Sequence, residues 1–233
     1  MSALRVSYIV VTASLLLLAI PAAAADEYAS FTDLAKHETA GTDYSIAATK
    51  RGSPLAVIAI HGGYIEPGTS DLALALADED YSLYTFQALK AKSGKRLHLT
   101  STHFDEPQAL KLVGQSKYCL SLHGAAGDEE AVYLGGRDMQ FILNLAGPLR
   151  EAGFSVITPT DAAYRSEIGG DDKGNICNRT MSGMGVQLEL TAGLRKALDE
   201  SNRPGGRQGE GKWQKFVAAV RGACKARVEQ APK

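Results

Sequence analysis

Two apolar runs, Leu55–Ile60 (LAVIAI) and Tyr118–Leu122 (YCLSL), each stop at a histidine, His61 and His123. A strand that lacks alternating polar positions is buried on both faces, as happens when helices cover both sides of a largely parallel sheet. Further short apolar runs at Leu83–Phe86, Leu97–Thr100, Phe154–Ile157 and Val186–Leu190 alternate with amphipathic stretches. That alternation predicts an α/β fold, a single domain with a mainly parallel mixed sheet flanked by helices. Helices are expected over Asp71–Ala77 with Thr69 and Ser70 as caps, over Ala109–Val113 behind Pro107, and over Arg137–Glu151 up to the breaker Gly153. Trp213, Phe216, Val217, Val220, Cys224 and Val228 recur at helical spacing and read as a stripe facing the core. The polar, glycine-rich stretch Ser201–Gly211 reads as a loop ahead of it.

With 25 Lys+Arg against 26 Asp+Glu, the chain lacks the concentrated positive charge that displaces phosphate counterions, so nucleic acid is excluded as a partner. Residues Met1–Ala25 carry one charge at Arg5, an apolar run from Val6 to Ile20, then Pro21 and four alanines. This is the pattern of a secretory signal peptide, so the catalytic domain is expected over 26–233, secreted or periplasmic, and free of the membrane once the signal is removed. A monomer is expected. Three cysteines cannot form a complete disulfide framework; Cys119 reads as a buried thiol, and a Cys177–Cys224 bridge is open.

The carboxyl ends of strands are where open α/β sheets bind ligands. His61 and His123 both stand there, and Glu66 follows His61 after a Gly-Gly turn, from which its carboxylate can fold back toward the imidazole. Two histidines and a carboxylate suit a catalytic zinc with an open position. The same residues also suit a polar group satisfied within the core and a surface charge beside Pro67. In Val186–Thr191 (VQLELT) the apolar residues share one strand face, which puts Gln187 and Glu189 on the other. A glutamate facing a metal is a candidate general base; on a solvent-facing strand it is an ordinary surface residue. Arg137, Arg179 and Arg195 are candidate anchors for an acidic substrate, because a guanidinium pairs bidentately with carboxylate, and each is equally suited to a structural salt bridge. His103 is a candidate substrate contact, and equally suits a structural hydrogen bond. His98, between Leu97 and Leu99, reads as packed or exposed rather than catalytic, and His37 as solvent-facing on an N-terminal helix. No Gly-x-Ser-x-Gly elbow is present, which removes the usual serine-hydrolase arrangement.

The segments AIHGGYIEPGTSDLA, LHLTSTHFDEP, SLHG, YLGGRD, GNICNR and GVQLELTAGLR, in this order between Phe31 and Leu198, resemble the poly-γ-glutamate hydrolase family, phage-type and bacterial. The resemblance implies a zinc carboxypeptidase-like fold and a zinc enzyme that cuts amide bonds. It also implies His61, Glu66 and His123 as ligands, Glu189 as general base, and an acidic γ-glutamyl polymer or peptide as substrate. Zinc carboxypeptidases space their first ligands as His-x2-Glu, whereas this chain has His-x4-Glu. The pair Asn178-Arg179 is similar to the pair with which carboxypeptidases hold a substrate carboxylate, though here it follows the last histidine ligand. Cell-wall γ-glutamyl peptides are an alternative substrate, and an idle secreted binder of zinc or acidic ligands is an alternative of another class.

Overall fold

The computed structural model describes residues 26–202 and 211–230; the expected signal segment and residues 203–210 of the glycine-rich stretch lie outside them. Six α-helices and seven strands follow one another among the described residues: α1 (Phe31–His37), β1 (Tyr44–Thr49), β2 (Leu55–Gly63), α2 (Thr69–Ala77), β3 (Ser82–Ala88), α3 (Pro107–Gly114), β4 (Tyr118–Ala125), β5 (Ala131–Gly136), α4 (Met139–Glu151), β6 (Ser155–Ile157), β7 (Val186–Thr191), α5 (Ala192–Asn202) and α6 (Lys212–Glu229). The strands form one sheet in the order β1-β3-β2-β4-β7-β5-β6. β1 with β3 and β5 with β7 pair antiparallel; the remaining neighbours are parallel. The expectation of a mainly parallel mixed sheet between helices holds.

Burial on both faces explains the unbroken run in β2. Leu55, Val57 and Ala59 join Leu120 and Leu122 of β4 and Val186, Leu188 and Leu190 of β7 in a layer covered by α2, α4, α5 and α6. Ala56, Ile58 and Ile60 face the opposite layer, with Leu34 of α1, Ala109 and Val113 of α3, Phe104 and Cys119. Each fully buried Leu or Ile there contributes about 1.5–3 kcal/mol. The α6 stripe is core-facing as expected: Phe216, Val220 and Cys224 are buried. Cys119 and Cys177 lie in one layer and Cys224 in the other, and all three thiols are free, so the Cys177–Cys224 bridge does not form.

Several local expectations are corrected. Leu97–Thr100 is not a strand; it follows a short 3-10 turn, Lys95–Leu97. Leu97 and Leu99 are buried, which produces the alternation, but no strand among the described residues pairs with the segment: the Leu97 and His98 N–H groups donate within the turn, the Thr100 N–H donates to Asp26, and the Leu99 carbonyl accepts from His61. Thr69 and Ser70 do not cap α2. Gly68 precedes the helix in the left-handed region (φ 93°), while the Thr69 hydroxyl donates to the Glu66 carbonyl at 2.9 Å. Helix α4 starts at Met139 because Asp138 caps it, its carboxylate accepting from the Phe141 N–H at 3.0 Å.

Candidate active site

Strands β2, β4 and β7 lie side by side and parallel, so their carboxyl ends open on the same edge. Between the pairs Ala59–Thr85 and Gly62–Gln87, β2 advances three residues while β3 advances two. Such a bulge bends the strand end and re-aims its side chains; His61 sits within it. On β4 and β7, His123 is the register partner of Glu189, and Ser121 of Gln187. All four side chains project opposite to the apolar residues Leu122 and Leu188, toward the layer that contains Leu99. The turn after β2 returns Glu66 to the strand end, with its N–H donating to the His61 carbonyl at 2.8 Å. Its Oε2 accepts from the Gly124 N–H at 2.7 Å and its Oε1 lies 3.1 Å from His61 Nδ1. The folded-back carboxylate therefore adopts the expected placement.

The tautomer of His61 follows from its outer partner. His61 Nε2 lies 2.8 Å from the Leu99 carbonyl, which can only accept, so Nε2 carries a hydrogen. His123 Nε2 lies 2.8 Å from Ser121 Oγ. The two Nδ1 atoms are thereby turned toward each other at 3.1 Å, with Glu66 Oε2 3.9 Å from that of His123. Two imidazole nitrogens and a carboxylate so close together need positive charge between them. A tetrahedral zinc with arms of about 2.0–2.1 Å has ligand–ligand edges of roughly 3.3 Å, and engaged outer nitrogens are the usual support of such ligands. The donor set fits a zinc ion. A looser grouping replaces His123 with His98, whose ligand atom falls with those of His61 and Glu66 inside 4.8 Å. His98 Nδ1, however, is bonded to Asp26 at 2.9 Å, and its ring stacks on His61 at 4.2 Å. The shorter separations favour His123.

The charges agree with that geometry. Burial pulls the His61 pKa down, but the Glu66 carboxylate and the Leu99 carbonyl outweigh it and hold the pKa above its usual value. Burial pushes Glu66 up, yet the facing histidines bring it to about 2. His123 is pushed down to about 3 by burial and by His61. Glu189 goes the other way: burial and the Glu66 charge push it up to about 8, against His61, Arg165 and Arg195.

These groups line a cleft of about 470 Å³ together with His98, Arg165, Glu167, Asp171, Asp172, Asn175 and Gln187. Of the arginines expected to anchor substrate, none lines it. Arg137 Nη1 donates to the Asp171 carbonyl, Arg179 donates to the carbonyls of Gly174 and Thr102, and Arg195 to those of Leu190, Pro67 and Ala125. Asn178 likewise donates to the Gly170 and Asp172 carbonyls. His103 is largely exposed, 3.4 Å from Asp26, and outside the cleft. The cleft's guanidinium belongs to Arg165, whose Nε donates to Glu167 at 3.0 Å. Sequence reasoning missed it because residues 158–175 carry no strand or helix periodicity. His98, read as packed or exposed, is packed against His61 at the cleft wall.

A family model described as poly-gamma-glutamate hydrolase matches residues 28–219. The UPF0714 protein YndL of Bacillus subtilis (strain 168) is 41% identical over 176 residues, which span 75% of this chain and 68% of YndL. Among solved structures, a bacteriophage poly-gamma-glutamate hydrolase superposes with a TM-score of 0.79 at 29% identity, covering 89% of this chain and 100% of the phage chain. YndL in a zinc-free apo form superposes with a TM-score of 0.77 at 34% identity, covering 87% and 99% respectively. The chain belongs to the poly-gamma-glutamate hydrolase family.

Proposed function

We propose that this chain is an exported zinc amidase that cleaves the γ-glutamyl amide bonds of poly-γ-glutamate. The observation that carries the reading is the convergence of His61 Nδ1, His123 Nδ1 and Glu66 in a cleft that also holds Glu189. A zinc-free state of the related YndL supports zinc as the metal, and the N-terminal run Met1–Ala25 supports export. Bound zinc supplies a Lewis acid that polarises the scissile carbonyl and brings the pKa of water to about 7.

His61, Glu66 and His123 would hold the ion, with the Leu99 carbonyl and Ser121 fixing the two rings. Glu189 takes a proton from the attacking water and returns it to the departing amine. Buried in the cleft beside the ligand set, its carboxylate is placed to accept that proton and to pass it on. Arg165 pairs with the free α-carboxylate that every γ-linked glutamate carries.

The test incubates purified protein with poly-γ-glutamate and follows chain length and released amines. Shortening that stops with a chelator and returns with zinc is expected. Glu189→Gln should retain zinc and lose about 10²–10⁴-fold in turnover. A zinc-loaded protein that leaves the polymer intact, or a Glu189→Gln variant that matches wild type, refutes the reading.

A further inference from the structure

Behind Glu189 runs a chain of side-chain amides whose two ends are main-chain groups. The Cys177 N–H donates to Asn175 Oδ1 at 3.0 Å, which leaves Asn175 Nδ2 to donate to Gln187 Oε1 at 2.9 Å. With its oxygen so engaged, Gln187 directs both hydrogens of Nε2 outward, one to the Ile168 carbonyl at 2.7 Å and one to Glu189 Oε1 at 3.0 Å. An N–H can only donate and a C=O can only accept, so neither amide can turn over without losing bonds at both ends. Asn175 and Gln187 are buried, at 4% and 3% exposure. The backbone also makes room for this arrangement. Gly170 passes so close that a Cβ there would lie 2.2 Å from the Gln187 amide carbon, and its φ of +65° suits glycine.

We infer that Gln187 and Asn175 are positioning residues that tie Oε1 of Glu189 to the protein and leave Oε2 as the oxygen that meets substrate and water. This rests on Glu189 being the base. A carboxylate that could present either oxygen would lose much of the advantage of fixed geometry, where a misplacement of 1 Å can cost about a hundredfold. The amide chain removes that choice, and Oε2 has no hydrogen-bond partner among the described residues. The proton taken up in the reaction is placed on Oε2, the oxygen that Gln187 leaves unengaged.

Asn175→Asp is the decisive variant: it keeps the shape, is hydrogen-bonded to neither Glu189 nor the histidines, and offers Gln187 an acceptor where it had a donor. Gln187 then either loses that bond or reverses and turns its oxygen toward Glu189. The expected result is a kcat lower by roughly ten- to hundredfold, with KM and zinc content unchanged and a melting temperature lowered by the buried hydrogen bond that is lost. Gln187→Glu, which sets a second carboxylate against Glu189, should show the same split. In a Glu189→Gln background, Asn175→Asp should cost nothing further, since the group being positioned is already gone. By NMR, the Gln187 side-chain amide protons should exchange slowly in wild type and quickly in Asn175→Asp. With wild type active, an unchanged kcat, losses that multiply in the double variant, or fast exchange in wild type overturns the positioning role alone. Wild type inactive on poly-γ-glutamate and on γ-glutamyl peptides overturns the base assignment and the positioning role with it.

Discussion

Ser121→Ala tests whether the outer partner of an imidazole sets its affinity for metal. Of the two outer contacts, that of His61 is a main-chain carbonyl and cannot be removed by substitution, whereas that of His123 is the Ser121 hydroxyl at 2.8 Å. Ser121 is fully buried, so no water replaces its oxygen. Removing such a contact costs about 10–100-fold in metal affinity, equivalent to about 1.4–2.7 kcal/mol. The metal-free protein also loses stability, because His123 Nε2 remains buried without a partner. That penalty is about 1–3 kcal/mol, or about 2–12 °C in melting temperature for a chain of this size. Zinc affinity is measured by competition with a chromophoric chelator, and thermal melts with and without zinc separate the two effects. Zinc binding by Ser121→Ala equal to that of wild type would show that the hydroxyl does not orient His123 as a ligand, and the argument from engaged outer nitrogens would fall.

His123→Ala should lower the zinc content of the purified protein, read by elemental analysis; full occupancy would move the ligand set to His61, Glu66 and His98. Away from the site, Asp138 both caps α4 and pairs with Arg227, whose Nε and Nη2 each lie 2.9 Å from Oδ2 while its guanidinium carbon stands 4.1 Å from the Tyr118 ring centre. Asp138→Asn keeps a capping oxygen but leaves the partly buried guanidinium of Arg227 without its carboxylate, a loss of up to about 3 kcal/mol. Asp138→Ala removes the cap too, for about 1 kcal/mol more. Thermal melts should rank wild type, Asn and Ala in that order, and an Asn variant that melts with wild type would show the pair to be inert.

The strand ends were legible because burial on both faces leaves a plain signature: an apolar run that stops where polar chemistry begins. That signature located His61 and His123, and period-two alternation placed Gln187 and Glu189 on one face. β1 and β5 were not anticipated as strands; β1 is an edge strand with largely exposed residues, and β5 pairs antiparallel beside β7. The extended segment Leu97–Thr100 shows the converse case. It has the alternation of a strand without a ladder, since turn carbonyls, Asp26 and His61 take up its backbone groups, and a bond between residues 26 and 100 leaves no trace in local periodicity. The arginines were the hardest to place. A guanidinium that serves three carbonyls and one that faces a cleft are the same letter in a sequence, and only the tertiary fold tells Arg195 from Arg165.

Arg195 joins places that are far apart in the chain. Its three carbonyl partners belong to Pro67, just after Glu66; to Ala125, two residues past His123; and to Leu190, next to Glu189. One side chain thus gathers the segments that carry three of the four groups at the centre of the cleft, from behind. These segments cannot drift independently, so warming should not loosen the site ahead of the rest of the molecule; heat inactivation and global melting should share one midpoint. Lysine, with a single ammonium in place of a planar fork, could not span the same three acceptors.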